Sequence, residues 1–259
     1  MSVAAYDRFA QRCYETARAL IAPDVRNSQF VFADQLRNAL RGSGRWLDVG
    51  CGHDFLPAWM PVATRALDFS GWTVVGLDID GAAVARHLQL RHRVIGDGQQ
   101  LPFEGNSFDL ITANMVVEHV VEPTRLFLEM TRVLAPGGRI VVHTPNVSGY
   151  TTAAARLLPD RALAPLANLL LAREAEDVYP AYYRANSAAQ LMTLAIGHGL
   201  VLERCEFLNS SPQTIRIPPL MLVELLLLRA MRAPRMARFR ACLLVVMRKP
   251  AGTTVAPAR

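Results

Sequence analysis

The run Leu47-Asp48-Val49-Gly50-Cys51-Gly52-His53 carries the clearest chemistry in the sequence. Apolar residues leading into glycines read as a buried strand ending in a tight turn. Glycine at such a turn lets the backbone approach a ligand where a Cβ would collide. A turn of this kind also occurs for packing alone, so its neighbours decide. Val74-Val75-Gly76-Leu77-Asp78 ends a second apolar run in a carboxylate, the position that takes ribose hydroxyls in dinucleotide folds. Gly96-Asp97-Gly98 places another carboxylate after a third run. Singly, Asp78 or Asp97 can equally be a helix cap or turn residue. In an open α/β sheet, ligands sit outside the carboxyl ends of the strands, so the three strand ends converge on one crevice.

NAD is disfavoured as the ligand. Its fingerprint, Gly-x-Gly-x-x-Gly, fails at Phe55, and Asp78 lies farther on than the roughly 20 residues expected for the ribose acid. Pro57 and Pro61 also disturb the helix that should follow. Three histidines fall near the predicted crevice and can take a proton near neutral pH: His53, His119 and His143. His119 is the first choice for a general base because it follows Asn114 by little more than one helical turn. Each can instead be a loop or helix-start histidine bonded to backbone.

These residues need elements to position them. Apolar runs at 45–49, 73–78, 94–95, 108–112 and 139–143 read as strands, with helical spacing at 81–91 and 123–134 between them. Strands separated by helices point to βαβ crossovers and a mostly parallel sheet. Pro136-Gly137-Gly138 reads as a turn before the fifth strand, and runs at 200–208 and 242–247 supply two more strands. Segments 3–21 and 27–41 are helical, and 150–198 and 218–240 are predominantly so.

The order and spacing of these segments resemble the class I S-adenosylmethionine-dependent methyltransferases, in particular the ubiquinone-methyltransferase-like group. Trp46 to Gly52 looks like their first motif, Ser107-Phe108-Asp109-Leu110-Ile111-Thr112-Ala113-Asn114 like the fourth, and Arg132 to Arg139 like the turn before strand five. The resemblance implies S-adenosylmethionine as cofactor. It would be held by Asp48, Gly50, Cys51 and Gly52 at the methionine part, Asp78 and Ile79 at the ribose, Asp97 and Gly98 at the adenine, and Asn114 near the methyl. It also implies a Rossmann-like α/β fold: a seven-stranded, mostly parallel sheet with helices on both faces. The last strand would insert beside strand five, with N-terminal helices before the sheet and a helical insertion between strands five and six. One departure stands out: Asp54 occupies the family's third glycine position. It favours, as an alternative, a cofactor-binding subunit that does not catalyse; another nucleotide-dependent Rossmann-like enzyme is the remoter one.

A single domain is expected, with a helical cap at 1–44, a cofactor core at 45–148, an insertion at 149–199 and C-terminal strands with an apolar helix at 200–250. Tyr179, Tyr182, Tyr183 and Arg184, together with His53, are candidates for binding the acceptor; the alternative is a connection whose tyrosines pack. The acceptor is expected to be a small or lipid-linked molecule methylated on oxygen. Segment 217–240 joins a nearly all-apolar stretch to arginines spaced every few residues, which suits contact with an anionic leaflet, a buried helix or a homodimer interface. A net charge of +6 is spread along the chain without a nucleic-acid-binding block, so no nucleic acid is expected. Cys13, Cys51, Cys205 and Cys242 form no CxxC pair, so neither a metal site nor a disulfide framework is expected. With no run long enough to span a bilayer, the expected location is cytoplasmic.

Overall fold

In a computed structural model of the chain, which describes residues 3–57, 59–156 and 180–252, the expected strands gather around β1 (Gly44–Val49). The others are β2 (Trp72–Asp78), β3 (His92–Ile95), β4 (Phe108–Asn114), β5 (Leu134–Pro145), β6 (Val201–Leu208) and β7 (Cys242–Arg248). They form one sheet in the order β3-β2-β1-β4-β5-β7-β6. The pairs β1–β2, β2–β3, β1–β4 and β4–β5 are all parallel. Parallel neighbours need crossover connections. Between the strands lie α3 (Pro61–Arg65), α4 (Gly81–Arg86) and α5 (Pro123–Val133), which provide them. The order reverses between β2–β1 and β4, where such sheets leave a crevice at the carboxyl ends. β7 lies between β5 and β6, as expected of a late strand inserted beside strand five.

Two segments depart from the sequence reading. The helix expected over 81–91 stops at Arg86, where His87 turns to extended backbone and its ring is buried against Phe55, 4.7 Å between centroids. Burying that ring against an aromatic face takes the chain out of the helix. Strand β5 begins before the Pro136-Gly137-Gly138 turn rather than after it. Register pairs Phe108↔Leu134 and Leu110↔Arg139 leave the turn looped out inside the strand, with Gly137 at φ +84°. The Gly137 amide donates to the Lys249 carbonyl and the Lys249 amide to the Gly138 carbonyl, so β7's end holds the excursion in place.

The chain divides into two compact units. One comprises Met1–Ser28, Asn146–Pro180 and Phe207–Cys242, and contains α6 (Tyr150–Arg156). The other comprises Gln29–Pro145, Ala181–Glu206 and Leu243–Arg259, and so takes in nearly all of α2 (Ser28–Ala39) and the whole of α7 (Ala188–Gly197). The core of this second unit is the sheet itself: Trp46, Leu47, Ile111, Ala113, Ile140, Val141 and Val142 are fully buried, and so are Leu126, Phe127, Met130 and Val133 on α5. Such continuous apolar burial is what a parallel sheet covered on both faces requires. In the first unit α1 (Val3–Ile21) packs on α8 (Pro218–Ala230), around a core of Ala22, Val25, Met221, Leu225, Leu228 and Met231.

Candidate cofactor and acceptor site

The candidate residues gather in the sheet-bearing unit. Gly50 and Gly52 both sit in the left-handed region, φ +67° and +52°, as the chain turns out of β1. A Cβ on Gly50 would meet Val116 Cγ2 at 2.3 Å, so this glycine is small to admit the segment after β4. Gly52 has nothing within 4 Å of its would-be Cβ and faces open space, the cradle a ligand would fill. The Gly52 amide donates to Asp78 Oδ2 at 2.9 Å and the Asp80 amide to Asp78 Oδ1 at 2.9 Å. Asp78 is thereby fixed at the tip of β2 with lone pairs left over for hydroxyl donors. Ile79, next to it, is 70% exposed and offers an apolar surface beside that carboxylate.

Asp48 is buried on β1, opposite Thr112 in the register with β4, and accepts a hydrogen bond from the Thr112 hydroxyl. Thr112 in turn receives the Trp46 indole N–H at 2.7 Å, which orients it. Burial pushes the Asp48 carboxyl up to about 7; the Thr112 bond opposes this and the Asp78 charge adds to it. A carboxylate buried with a single side-chain donor is held either as the neutral acid or beside a cation. Cys51 is buried alongside, its thiol pushed far up by burial and then by Asp48 and Asp78, so it stays neutral. Asp97 is exposed, and its carboxylate accepts the Gln99 amide at 2.8 Å and the Gln99 side chain. Gly98 owes its smallness to packing: a Cβ would approach Leu126 Cδ1 at 3.0 Å and Val49 Cγ1 at 3.1 Å.

On the far side of β1, Asn114 and His143 face each other in the β4–β5 register, with Nδ1 of the ring 2.8 Å from the amide oxygen. Asn114 Nδ2 donates to Gln29 Oε1 at 3.1 Å, so its oxygen is left to accept from the imidazole N–H. His143 is fully buried, stacks on Phe32, and has its pKa driven down to about 3 by burial. A ring so weakly basic orients Asn114 and does not collect protons near neutral pH. His119 differs: it ends a 3-10 turn, Val117–His119, is partly exposed, and lies 3.9 Å from the Glu118 carboxylate. His53 is exposed just past the glycine turn.

A buried polar cluster lies outside every motif the sequence displays. Glu118 is 3% exposed and accepts the Thr144 hydroxyl at 2.9 Å, while Thr144 Oγ1 accepts Asn186 Nδ2 at 2.6 Å. The Glu118 carbonyl also receives the amides of Tyr182 and Tyr183, at 2.7 and 3.2 Å. Tyr183 takes a left-handed φ of +52° there. Arg184 donates to the Val121 carbonyl at 2.8 Å and lies over the Tyr182 ring, 5.7 Å from its centroid. The structure therefore ties Tyr182, Tyr183 and Arg184 to the carbonyls of Glu118 and Val121, on the segment that carries His119; Tyr179 falls outside the described residues. The one signal in the sequence is a glutamate set among valines in Val116-Val117-Glu118-His119-Val120, a carboxylate in a run otherwise fit for burial.

An open cradle at Gly52, a strand-end carboxylate at Asp78 and a buried carboxylate at Asp48 would suit a nucleoside carrying a cationic amino-acid tail. With this sheet order, they resemble the cofactor site of the class I S-adenosylmethionine-dependent methyltransferases. Residues 47–142 match the family model described as a methyltransferase domain. The chain is 38% identical over 101 residues to the demethylmenaquinone methyltransferase of Staphylococcus haemolyticus, covering 37% of this chain and 41% of that protein. It thus spans less than half the length of that curated relative. Among solved structures it resembles a sarcosine dimethylglycine methyltransferase from Galdieria sulphuraria, so described provisionally, with TM-score 0.53 and 16% identity over 86% of this chain and 85% of that one. It also resembles the [4+2]-cyclase SpnF, with TM-score 0.52 and 21% identity over 86% and 82%.

Proposed function

We propose that this chain transfers a methyl group from S-adenosylmethionine to a hydroxyl of a small or lipid-linked acceptor. The observation that carries the reading is the convergence of Asp48, Gly52 and Asp78 on the end of the sheet where its order reverses. When bound, the cofactor supplies a methyl on a positively charged sulfur. Asp48 would hold the ammonium of its methionine part, Asp78 the ribose hydroxyls and Asp97 the adenine amino group. Asn114, oriented by His143, borders the place where the acceptor must sit. His119, which ends the 3-10 turn 3.9 Å from the buried Glu118 carboxylate, would take the acceptor's proton. Tyr182 and Arg184 would contact the acceptor's aromatic, sugar or phosphate part.

The test is transfer of labelled methyl from S-adenosylmethionine to a panel of phenols, glycans, lipid extracts and demethylmenaquinone, the last taken from the name of the Staphylococcus haemolyticus relative. Transfer to a hydroxyl acceptor, lowered at least about tenfold in His119→Ala, is the expected result. Binding of S-adenosylhomocysteine with no transfer to any acceptor favours a second reading: a cofactor-binding subunit without catalysis. Two observations support that alternative. Asp54 replaces the third glycine of the turn, and the same fold serves a protein named as a cyclase.

A further inference from the structure

Helix α8 is two-faced in an unusual way. Met221, Glu224, Leu225 and Leu228 point into the core of their unit. Glu224 is satisfied there by the Tyr150 hydroxyl, the Gln213 amide and the amide and hydroxyl of Thr214, at 2.7–3.0 Å. At 100° per residue the opposite arc collects Leu220, Leu222, Val223, Leu226 and Leu227, between 39% and 64% exposed, and no charged side chain. An amphipathic helix on a globular surface normally turns its polar face outward. Here both faces are apolar, and the only acid on the helix is buried.

The residues just beyond the helix identify the partner that covers this face. Arg229, Arg232, Arg235 and Arg238 come at three-residue intervals from its last turn through the 3-10 segment Pro234–Phe239, and all four are exposed. Arg232 pairs with Asp24 and Arg229 donates to the Ile21 carbonyl, whereas Arg235 has no side-chain partner among the described residues. A second copy of the chain laid on this face would offer these arginines no acid from α8, whose only carboxylate, Glu224, is buried. An anionic lipid surface instead takes the leucines into its acyl boundary and the guanidinium groups among its phosphates. We propose that the exposed face of α8, with Arg235 and Arg238, is a docking surface for an anionic membrane.

The full chain should co-float with vesicles of phosphatidylcholine containing phosphatidylglycerol and not with phosphatidylcholine alone. Arg235→Gln with Arg238→Gln should weaken binding about 25-fold at low salt, about fivefold for each arginine. Val223→Asp with Leu226→Asp should abolish it, while both pairs keep the S-adenosylhomocysteine affinity of the unaltered chain. Leu226→Trp should shift its fluorescence to the blue on adding the anionic vesicles. No flotation of the unaltered chain overturns the proposal, as does equal binding to neutral vesicles. So does concentration-dependent dimerisation that Leu226→Asp abolishes in a chain indifferent to lipid. Cofactor binding is read separately, so failure here leaves the methyltransferase reading standing, and the converse holds.

Discussion

The proposed cofactor side and the proposed acceptor side of the sheet-bearing unit are built by different means. At the cofactor side, groups meet because strand register or the next few residues bring them together. Asp48 faces Thr112 as its partner in the β1–β4 ladder, and Asp78 takes amides from the turn beside it and from its own second neighbour. At the acceptor side, Glu118, Thr144 and Asn186 come from three separate segments and meet only in the folded chain. Local construction makes the first side rigid and readable as a motif.

The largest expected effect breaks the cofactor side at its turn. Gly50→Ala forces a side chain onto a left-handed backbone and into Val116, and should cost about 2–4 kcal/mol in denaturant unfolding and abolish cofactor binding. Gly50→Ala with Val116→Ala should recover the part due to collision and not the part due to φ. Next comes Asp78→Asn, which removes the charge proposed to accept the ribose hydroxyls. S-adenosylhomocysteine affinity should fall about a hundredfold by calorimetry with little change in unfolding midpoint.

The same contrast governs what the residue order alone reveals. Most of the strands are legible as apolar runs closed by Gly, Asp, Asn or Pro, and Asp48, Gly52 and Asp78 are legible as residues at or near the ends of such runs. Glu118, Thr144 and Asn186 are not, since nothing in the order of residues brings positions 118, 144 and 186 together. His143 looks like a proton acceptor in the sequence, and burial makes its ring far less basic in the fold, for a related reason. Its basicity is set by burial under Phe32, a ring from a distant helix. Helix α4 is shorter than its spacing suggests, because the helical pattern continues past Arg86 while the burial of His87 ends the helix.

Asp48 gives the comparison a pH axis. Its carboxyl stands near 7 in the folded chain, above the ordinary 3.8. Its contribution to stability is thus fully present below the unfolded value and is lost as pH rises through 7. A cationic cofactor held at Asp48, as proposed, would bind the ionised form, so binding would release a proton when the pH is near or below 7. Cofactor affinity should fall as pH drops below 7, by up to about tenfold per unit, and the calorimetric enthalpy should depend on the buffer's ionisation heat. Asp48→Asn should flatten both. An affinity independent of pH between about 5 and 8 would put the ammonium elsewhere.

The smallest effect is at Gly98, assigned to the cofactor by resemblance and to packing by its surroundings. A methyl there would press on Leu126, fully buried on α5, and on Val49, 2% exposed at the end of β1. Neither neighbour has solvent to move into, so one of them must shift by a few tenths of an ångström within a close-packed core. Gly98→Ala should therefore cost about 1 kcal/mol in unfolding free energy, partly offset by the lower entropy of the unfolded alanine chain. Cofactor affinity should stay within about twofold, because the strain falls on the sheet's helix-facing side chains and not on Asp48, Gly52 or Asp78. The opposite pattern, unchanged unfolding with affinity lowered about tenfold or more, would return Gly98 to the cofactor site. The division between residues that bind and residues that pack would then have to be redrawn one strand further along the edge.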